Sequence, residues 1–424
     1  MVRALVWSAV VVALAAVAWL LGRDDAERRG HRPEPHDGMH AVAPDAGTVD
    51  QTRNVAMDAI DALRNALPAA DPLESATAAA ALRRLLRTDA VARLGVEEML
   101  LATETPRELR MALAFILGTL AGGPSDGALV EALDRFARDA AFVRCALLAL
   151  GATRDPPDDD EIFEMGDRPW GHHGPGGLGI TVQRPIEDPS VRAALGEHFE
   201  REESALREAA ALALRHTLKN SEVRDLFLAV LASEPADDVA GELGEALADW
   251  AGSATERERA AVVARLIERA GEVGLEGYRF RMEDDFTRLA LSATDRDRIA
   301  SYTEPTRPFG VRDFALRVLT STAQRSGDEA VAFARATLTR YLQGDEQAAI
   351  RDRTAGLLGT LPRDPLTLRA LAAAAKSDAA WNVRYSAVAS LGRYKDAPEA
   401  KEALRAATKD KEPRVAALAK ELLK

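Results

Sequence analysis

Cysteine is nearly absent from this chain: Cys145 is the only one in 424 residues. No intramolecular disulfide can form, so cross-links contribute nothing to the fold, and thiol usage says nothing about the redox state of the compartment. A lipidated-cysteine anchor is excluded too, because no cysteine follows the apolar N-terminal run. Aromatic residues make up only 5% of the chain while alanine is abundant, a balance that suits closely packed helices better than sheets. Lysine is scarce: of 55 basic residues eight are lysines, six of them at or after Lys395. Asp396, Glu399, Glu402, Asp410, Glu412 and Glu421 are interleaved with those six, so the tail reads as an ion-paired, solvated helical face. The net charge of −12 lacks the basic field that phosphate neutralisation requires, which argues against a nucleic-acid partner. G-x-S-x-G, H-E-x-x-H, Walker A and paired-cysteine zinc patterns are all missing.

One long apolar run is present. Ala4 to Leu21 ("ALVWSAVVVALAAVAWLL") carries no charge, and eighteen helical residues span roughly 27 Å, close to the thickness of a hydrocarbon core. Residues 1–22 are therefore expected to be a membrane anchor, with a cleaved signal peptide as the alternative. The small-x-small match Ala16-Val17-Ala18 lies inside the apolar run, and Ala41-Val42-Ala43 is followed by Pro44, so neither favours cleavage. Arg23, Arg28, Arg29 and Arg32 after the span favour a cytoplasmic body. A short anchor ahead of a large domain favours an exported one, and a periplasmic or otherwise extracytoplasmic body is the expectation. Residues 23–52 are polar and rich in proline and glycine, which predicts a flexible linker; His31, His36 and His40 within it are irregularly spaced.

Beyond residue 53 the pattern is helical almost throughout. In "DAAWNVRYSAVASLGRYKD" (378–396), a helix beginning at Ala379 places Ala380, Val383, Ala387, Leu391 and Tyr394 on one face. Asp378 is suited to cap the start and Gly392 to end it, with Arg384 on the flank of the stripe. The same arrangement returns in "DAAFVRCALLALG" (139–151), with Arg144, and in "ELRMALAFILG", with Arg110. It returns again in "GVRDFALRVL", with Arg312, and in "AIRDRTAGLLG", with Arg351. Leu109 to Val143 is 34 residues, Ile350 to Val383 is 33, and Val383 to Val415 is 32. Self-similarity at such periods implies stacked units that bury one another's apolar faces. At Val415 the arginine precedes the aliphatic residue, and residues 236–305 show no clear repeat.

This pattern of acidic residue, aliphatic-Arg, alanine, and leucine-glycine resembles the HEAT-like repeats, in particular the short bacterial kind related to phycobilisome-lyase repeats. The resemblance implies an all-α, right-handed solenoid of antiparallel helix pairs. It also implies that Arg110, Arg144, Arg312, Arg351 and Arg384 are structural residues that reach an acidic residue of the adjacent repeat. The implied function is that of a membrane-tethered scaffold that binds a protein partner. The competing class is an enzyme or accessory protein handling a tetrapyrrole or another cofactor, like the lyase relatives. Bacterial origin follows from the resemblance and from the preference for arginine over lysine. The expected organisation is N-terminal repeats over 53–152, a loop insert over 153–190, divergent repeats over 191–310 and C-terminal repeats over 311–424.

The insert offers three apparent motifs. Gly174 to Gly179 matches G-x-G-x-x-G, but an acidic loop precedes it and the strand-like "GITVQ" follows, the reverse of a dinucleotide site. Asp158, Asp159, Asp160 and Glu161 lack the glycine of a calcium loop, since Phe163 stands at the sixth position. His172-His173 share no face on a helix or strand. Cys145 lies in a helix that is apolar on nearly every face and reads as a core residue, not a nucleophile. No cofactor or metal is expected. Trp170, His172 and His173 in the insert, with Tyr278 and Phe280 in an arginine-rich aromatic segment (274–310), are the candidate partner-binding residues.

Overall fold

The computed structural model describes residues 46–69, 72–152, 171–173 and 178–424. The apolar run 4–21, most of the linker, Trp170 and the Asp158–Glu161 run lie outside them. Among the described residues no helix is long and apolar enough to cross a membrane. The chain divides into two units, Met1–Gln51 and Thr52–Lys424, and the second holds all the elements discussed below apart from the start of α1.

The chain opens with α1 (Ala46–Ala66), α2 (Pro72–Thr88), α3 (Ala90–Leu101), α4 (Arg107–Gly118), α5 (Asp126–Arg135) and α6 (Ala140–Leu150). A hairpin of β1 (Gly171–His173) and β2 (Gly179–Thr181) follows. Next come α7 (Pro189–Glu197), α8 (Ser204–Leu214), α9 (Ser221–Leu231), α10 (Asp237–Ser253), α11 (Glu256–Ala270), α12 (Glu276–Arg288) and α13 (Ala293–Ser301). The C-terminal part holds α14 (Phe309–Ser326), α15 (Asp328–Gly344), α16 (Ala348–Thr360), α17 (Pro365–Ser377), α18 (Trp381–Leu391), α19 (Pro398–Ala407) and α20 (Pro413–Leu422).

Local chemistry sets many of the starts. Asp89, Asp139, Asp188, Asn220 and Asp364 accept from the free N–H groups of α3, α6, α7, α9 and α17. Thr255 with Glu258, and Ser292 with Asp295, form capping boxes on α11 and α13. Proline stands in the first turn of α7, α17, α19 and α20, where its missing N–H costs nothing.

From α2 onward the helices pack on their second neighbours, α13 and α15 the least, giving two rows. Helices α2, α4, α6, α8, α10, α12, α14, α16, α18 and α20 form an unbroken first row. In the second row, α3, α5, α7, α9, α11 and α13 follow one another, then α15, α17 and α19. Residues 236–305, without a visible repeat in the sequence, are α10 to α13 and continue both rows.

Glycine explains how closely the first row packs. A Cβ on Gly151 would lie 2.7 Å from the Ala213 Cα near the end of α8, and one on Gly392 2.8 Å from Leu422 Cδ2. Gly118 and Gly359 face Ala149 and Ser390 in the same manner. Gly151 and Gly392 have φ of −89° and −55°, so they admit a neighbouring helix and do not act as left-handed stops. Helix α18 does end at Gly392 as expected, but in right-handed backbone, so it is the close approach of Leu422 and not a left-handed cap that favours glycine there. Asp378 also differs from expectation. Helix α18 starts at Trp381, and the Asp378 carboxylate accepts from Ala380 N at 2.9 Å, closing the turn before the helix.

The second half of the insert is part of the body. Leu178, Ile180, Val182 and Ile186 are buried, Arg184 N donates to Gly151 O at 3.1 Å, and the Arg184 guanidinium reaches Asp126 at 2.9 Å. Val182 covers Gly151.

Candidate functional site

The repeated arginines form a connected ladder at the turns between rows. Arg384 donates to both Asp410 oxygens at 2.6 and 2.9 Å and to the carbonyls of Asp378 and Ala379 at 2.9 and 3.2 Å. Arg351 does the same with Asp378 (2.7 and 2.9 Å) and the carbonyls of Asp345 and Glu346. Arg312 holds the Asp345 carboxylate and Thr303 O. Each carboxylate also accepts from the N–H two residues on: Gln347, Ala380 and Glu412. In Asp345 and Asp378, one acidic residue therefore shapes its own turn, receives the arginine before it and, through its carbonyl, receives the arginine after it. Arg207 of α8 builds the same cage with Glu234, and Arg279 of α12 holds the carbonyls of Ala270 and Glu272.

Two of the five expected ladder residues depart from this scheme. Arg110 holds three carbonyls and lies 3.8 Å from the Phe136 ring centroid, while Arg107 takes both oxygens of Asp139. Arg144 is only half-buried, 4.0 Å from Glu208, and makes no turn cage. Its place is filled from the other side by Arg201, which donates to Ala137 O at 2.9 Å.

The expected partner-binding residues do not gather into one site. Tyr278 is fully buried and donates its hydroxyl to Leu266 O at 3.0 Å, so it is a core residue and presents nothing to a partner. It stands beside Arg279 at the position where an aliphatic residue precedes the arginine in other repeats. Phe280, also on α12, is 77% exposed. His172 and His173 lie on β1, where their backbones pair with Ile180 and Gly179. Cys145 is buried, its Sγ 3.3 Å from Met111 O, and burial pushes the thiol pKa far up, so no reactive thiolate forms. No cluster of three or more His, Cys, Asp or Glu able to hold a metal ion occurs among the described residues.

The first row instead opens a cleft of about 550 Å³ at its C-terminal end, between α16, α18 and α20. Trp381 and Tyr385, one turn apart on α18, are 42% and 38% exposed along it. Asp352 stands on one wall, accepting from Ser386 Oγ at 2.6 Å. Leu418, Glu421 and Arg414 form the other, with the Arg414 guanidinium 5.4 Å from the Trp381 ring centroid. Among the described residues, Asn382, Tyr385 and Glu421 have no side-chain hydrogen-bond partner. Elsewhere along this row the charges satisfy one another: Arg215 with Glu242 and Asp249, and Arg317 and Arg353 with Asp313. The cleft combines exposed aromatic area with uncommitted hydrogen-bonding groups, the composition of a recognition surface. Neither Trp381 nor Tyr385 is among the candidates drawn from the sequence. The signal present there is two large aromatics at i, i+4 lying off the buried stripe.

A second cleft of about 510 Å³ is lined by Asp345, Arg351 and Asp378 and belongs to the ladder.

Residues 335–424 match the HEAT repeats, a span that includes the cleft. No curated protein sequence matches the chain. Among solved structures, the chain is similar to the yeast importin-beta Kap95p bound to RanGDP, with a TM-score of 0.56 at 12% identity. That likeness covers 90% of this chain and 53% of Kap95p, so the chain spans about half the length of that relative. Human deoxyhypusine hydroxylase is also similar, at 18% identity and a TM-score of 0.28 over 78% of this chain and 93% of the other. An archaeal HEAT-like repeat protein of Thermococcus onnurineus matches at 15% identity and a TM-score of 0.31, over 56% and 90% of the two chains. Over the described residues the chain is a stack of helix pairs with one short β-hairpin, similar to HEAT repeats in sequence over 335–424 and HEAT-like in fold before them.

Proposed function

We infer that this protein is a scaffold that holds a protein partner on the surface of its helical stack, tethered to a membrane by residues 4–21. The single observation carrying the binding role is the cleft at Trp381 and Tyr385. There, half-exposed aromatic area adjoins hydrogen-bonding groups without internal partners. An extended or helical segment of a partner would cover the two rings and exchange water on Asn382, Tyr385 and Glu421 for its own polar groups. The fold likeness to Kap95p, a protein that binds RanGDP, supports a binding role for such a stack. The tether rests on the uncharged 18-residue run, and an extracytoplasmic body on the size of the domain that follows it. Bacterial origin and kinship to lyase-type repeats rest on the repeat pattern and the arginine preference.

The test places a photoreactive amino acid at Tyr385 in the full-length chain, in the native host, with Glu222 as the control position. A protein captured at position 385, missed at position 222 and lost on Trp381→Ala supports the reading. Equal capture at both positions, or capture indifferent to Trp381→Ala, overturns it. The tether predicts that the full-length chain sediments with membranes and withstands carbonate washing. A full-length chain found wholly in the soluble fraction refutes it.

A further inference from the structure

Among the described residues, the second row of the stack is thinnest beside α14. Second neighbours from α3 onward pack side by side, most sparsely at α13 and α15, where Phe333 of α15 still rests against the N-terminal core. The buried apolar side chains divide at the same place into two clusters, one ending with Leu319 and the other beginning with Leu316. Helix α14 gives Val311, Phe314, Ala315, Val318 and Leu319 to the N-terminal core, but only Leu316 and Ala323 to the C-terminal one. Thr320 lies between those two on the same face, buried, with its hydroxyl returned to Leu316 O of its own helix at 2.7 Å. Thr354 of α16 does likewise with Ile350 O. Hydroxyls satisfied within their own helices form no directional bond across the seam. The polar ties that do cross between α14 and α16, Arg353 to Asp313 and Gln324 to Thr360 O at 3.3 Å, come from exposed side chains, and Asp313 keeps Arg317 of its own helix.

One end of the joint is pinned by a buried polar cluster. Thr303 Oγ1 bonds the Tyr341 hydroxyl at 2.9 Å, and Arg312 ties Thr303 O to the Asp345 carboxylate. At the far end, Gly327 with φ of +91° links α14 to α15, a backbone that glycine adopts without strain.

We propose that α14 is a hinge: residues preceding it and residues 328–424 are two rigid blocks. They pivot about the Thr303–Arg312–Tyr341–Asp345 pin, opening and closing the second row between α13 and α15. The cleft at Trp381 and Tyr385 rides on the second block, so the pivot would change its angle relative to α2–α12. The pivot does not depend on what the cleft binds.

The test measures distances between paired spin labels on the full-length protein carrying Cys145→Ser. Exposed positions 222 and 401 span the joint, whereas 131 with 222, and 329 with 401, lie within single blocks. The hinge predicts a cross-joint distribution about twofold broader or more than both internal controls. It also predicts narrowing toward the controls when Thr320→Leu fills the seam. A cross-joint width equal to the controls overturns the proposal. So does a broad distribution in which the internal pairs are equally broad, because that is uniform flexibility of the stack.

Discussion

Arg384 donates in two directions at once: two bonds to Asp410 and two to the carbonyls that precede its own helix. Arg384→Ala leaves the nearly buried Asp410 carboxylate with the Glu412 N–H alone and takes the Arg384 donor from two carbonyls. The expected cost is about 2–4 kcal/mol in urea unfolding. Arg384→Lys recovers little of it, because an ammonium cannot reproduce the planar fork. Arg144→Ala, by contrast, costs under about 0.5 kcal/mol, since its contact to Glu208 is long and partly solvated. The Arg384 contribution has a definite pH sign. Hydrogen bonds from Arg384 hold the Asp410 carboxyl below its ordinary range, outweighing burial, with the Glu412 N–H adding to them. A depressed acid stabilises the fold above its unfolded value, near pH 4, and the effect vanishes as pH falls through the lower folded value. The gap between wild type and Arg384→Ala should therefore shrink below pH 4. His198 adds a separate sensitivity nearer neutrality. Burial and then the nearby Arg201 charge lower its pKa, against weaker opposition from Glu197 and Asp134. The unfolded chain then binds the proton more tightly, so stability declines as pH drops below about 6.5. His198→Leu should flatten the stability profile between pH 7 and 5, and an unchanged slope would remove His198 as its source.

Among the elements, α18 separates what was legible in the sequence from what was not. Its buried stripe of Val383, Ala387 and Leu391 follows directly from helical periodicity, and so does the aromatic pair Trp381 and Tyr385 on the other side. The functional weight of that pair depends on α16 and α20 standing alongside to make walls, which no local pattern encodes. The glycines divide in the same way. At the end of each helix they resemble stop signals, yet Gly151 and Gly392 are required by residues of a later helix, Ala213 and Leu422. Gly151→Ala should destabilise by about 1–3 kcal/mol through overpacking, because backbone is the obstacle, whereas Gly392→Ala should cost under about 1 kcal/mol, since only the movable end of Leu422 stands in the way. A solvent-exposed helix-end glycine would show the opposite sign or none, and thermal unfolding distinguishes the two cases. In α12, Tyr278 resembles a surface residue because it lies among arginines. Those arginines are ladder and row residues, Arg279 and Arg281, whose own partners lie inside the stack.

At the scale of the whole molecule, stability is carried by nearest-neighbour contacts between repeats, and these are thinnest where α13 and α15 meet. Arg312 is the main polar tie across that joint, 1% exposed and bonded on both sides. Arg312→Ala is expected to split thermal unfolding into two calorimetric transitions, the C-terminal block separating from the rest. A single shifted transition would show that the two cores remain one cooperative unit. The amino-acid sequence by itself determined the helical class, the repeat spacing and the acidic-arginine turns. These depend on periodicity, capping and bonds between residues 27 positions apart in similar surroundings. Tertiary structure alone decided that Arg144 leaves the ladder, that Tyr278 is core, that the insert returns to cover Gly151, and where a cleft opens. Each of those outcomes depends on which surfaces the stacked helices bring together and which they leave to water.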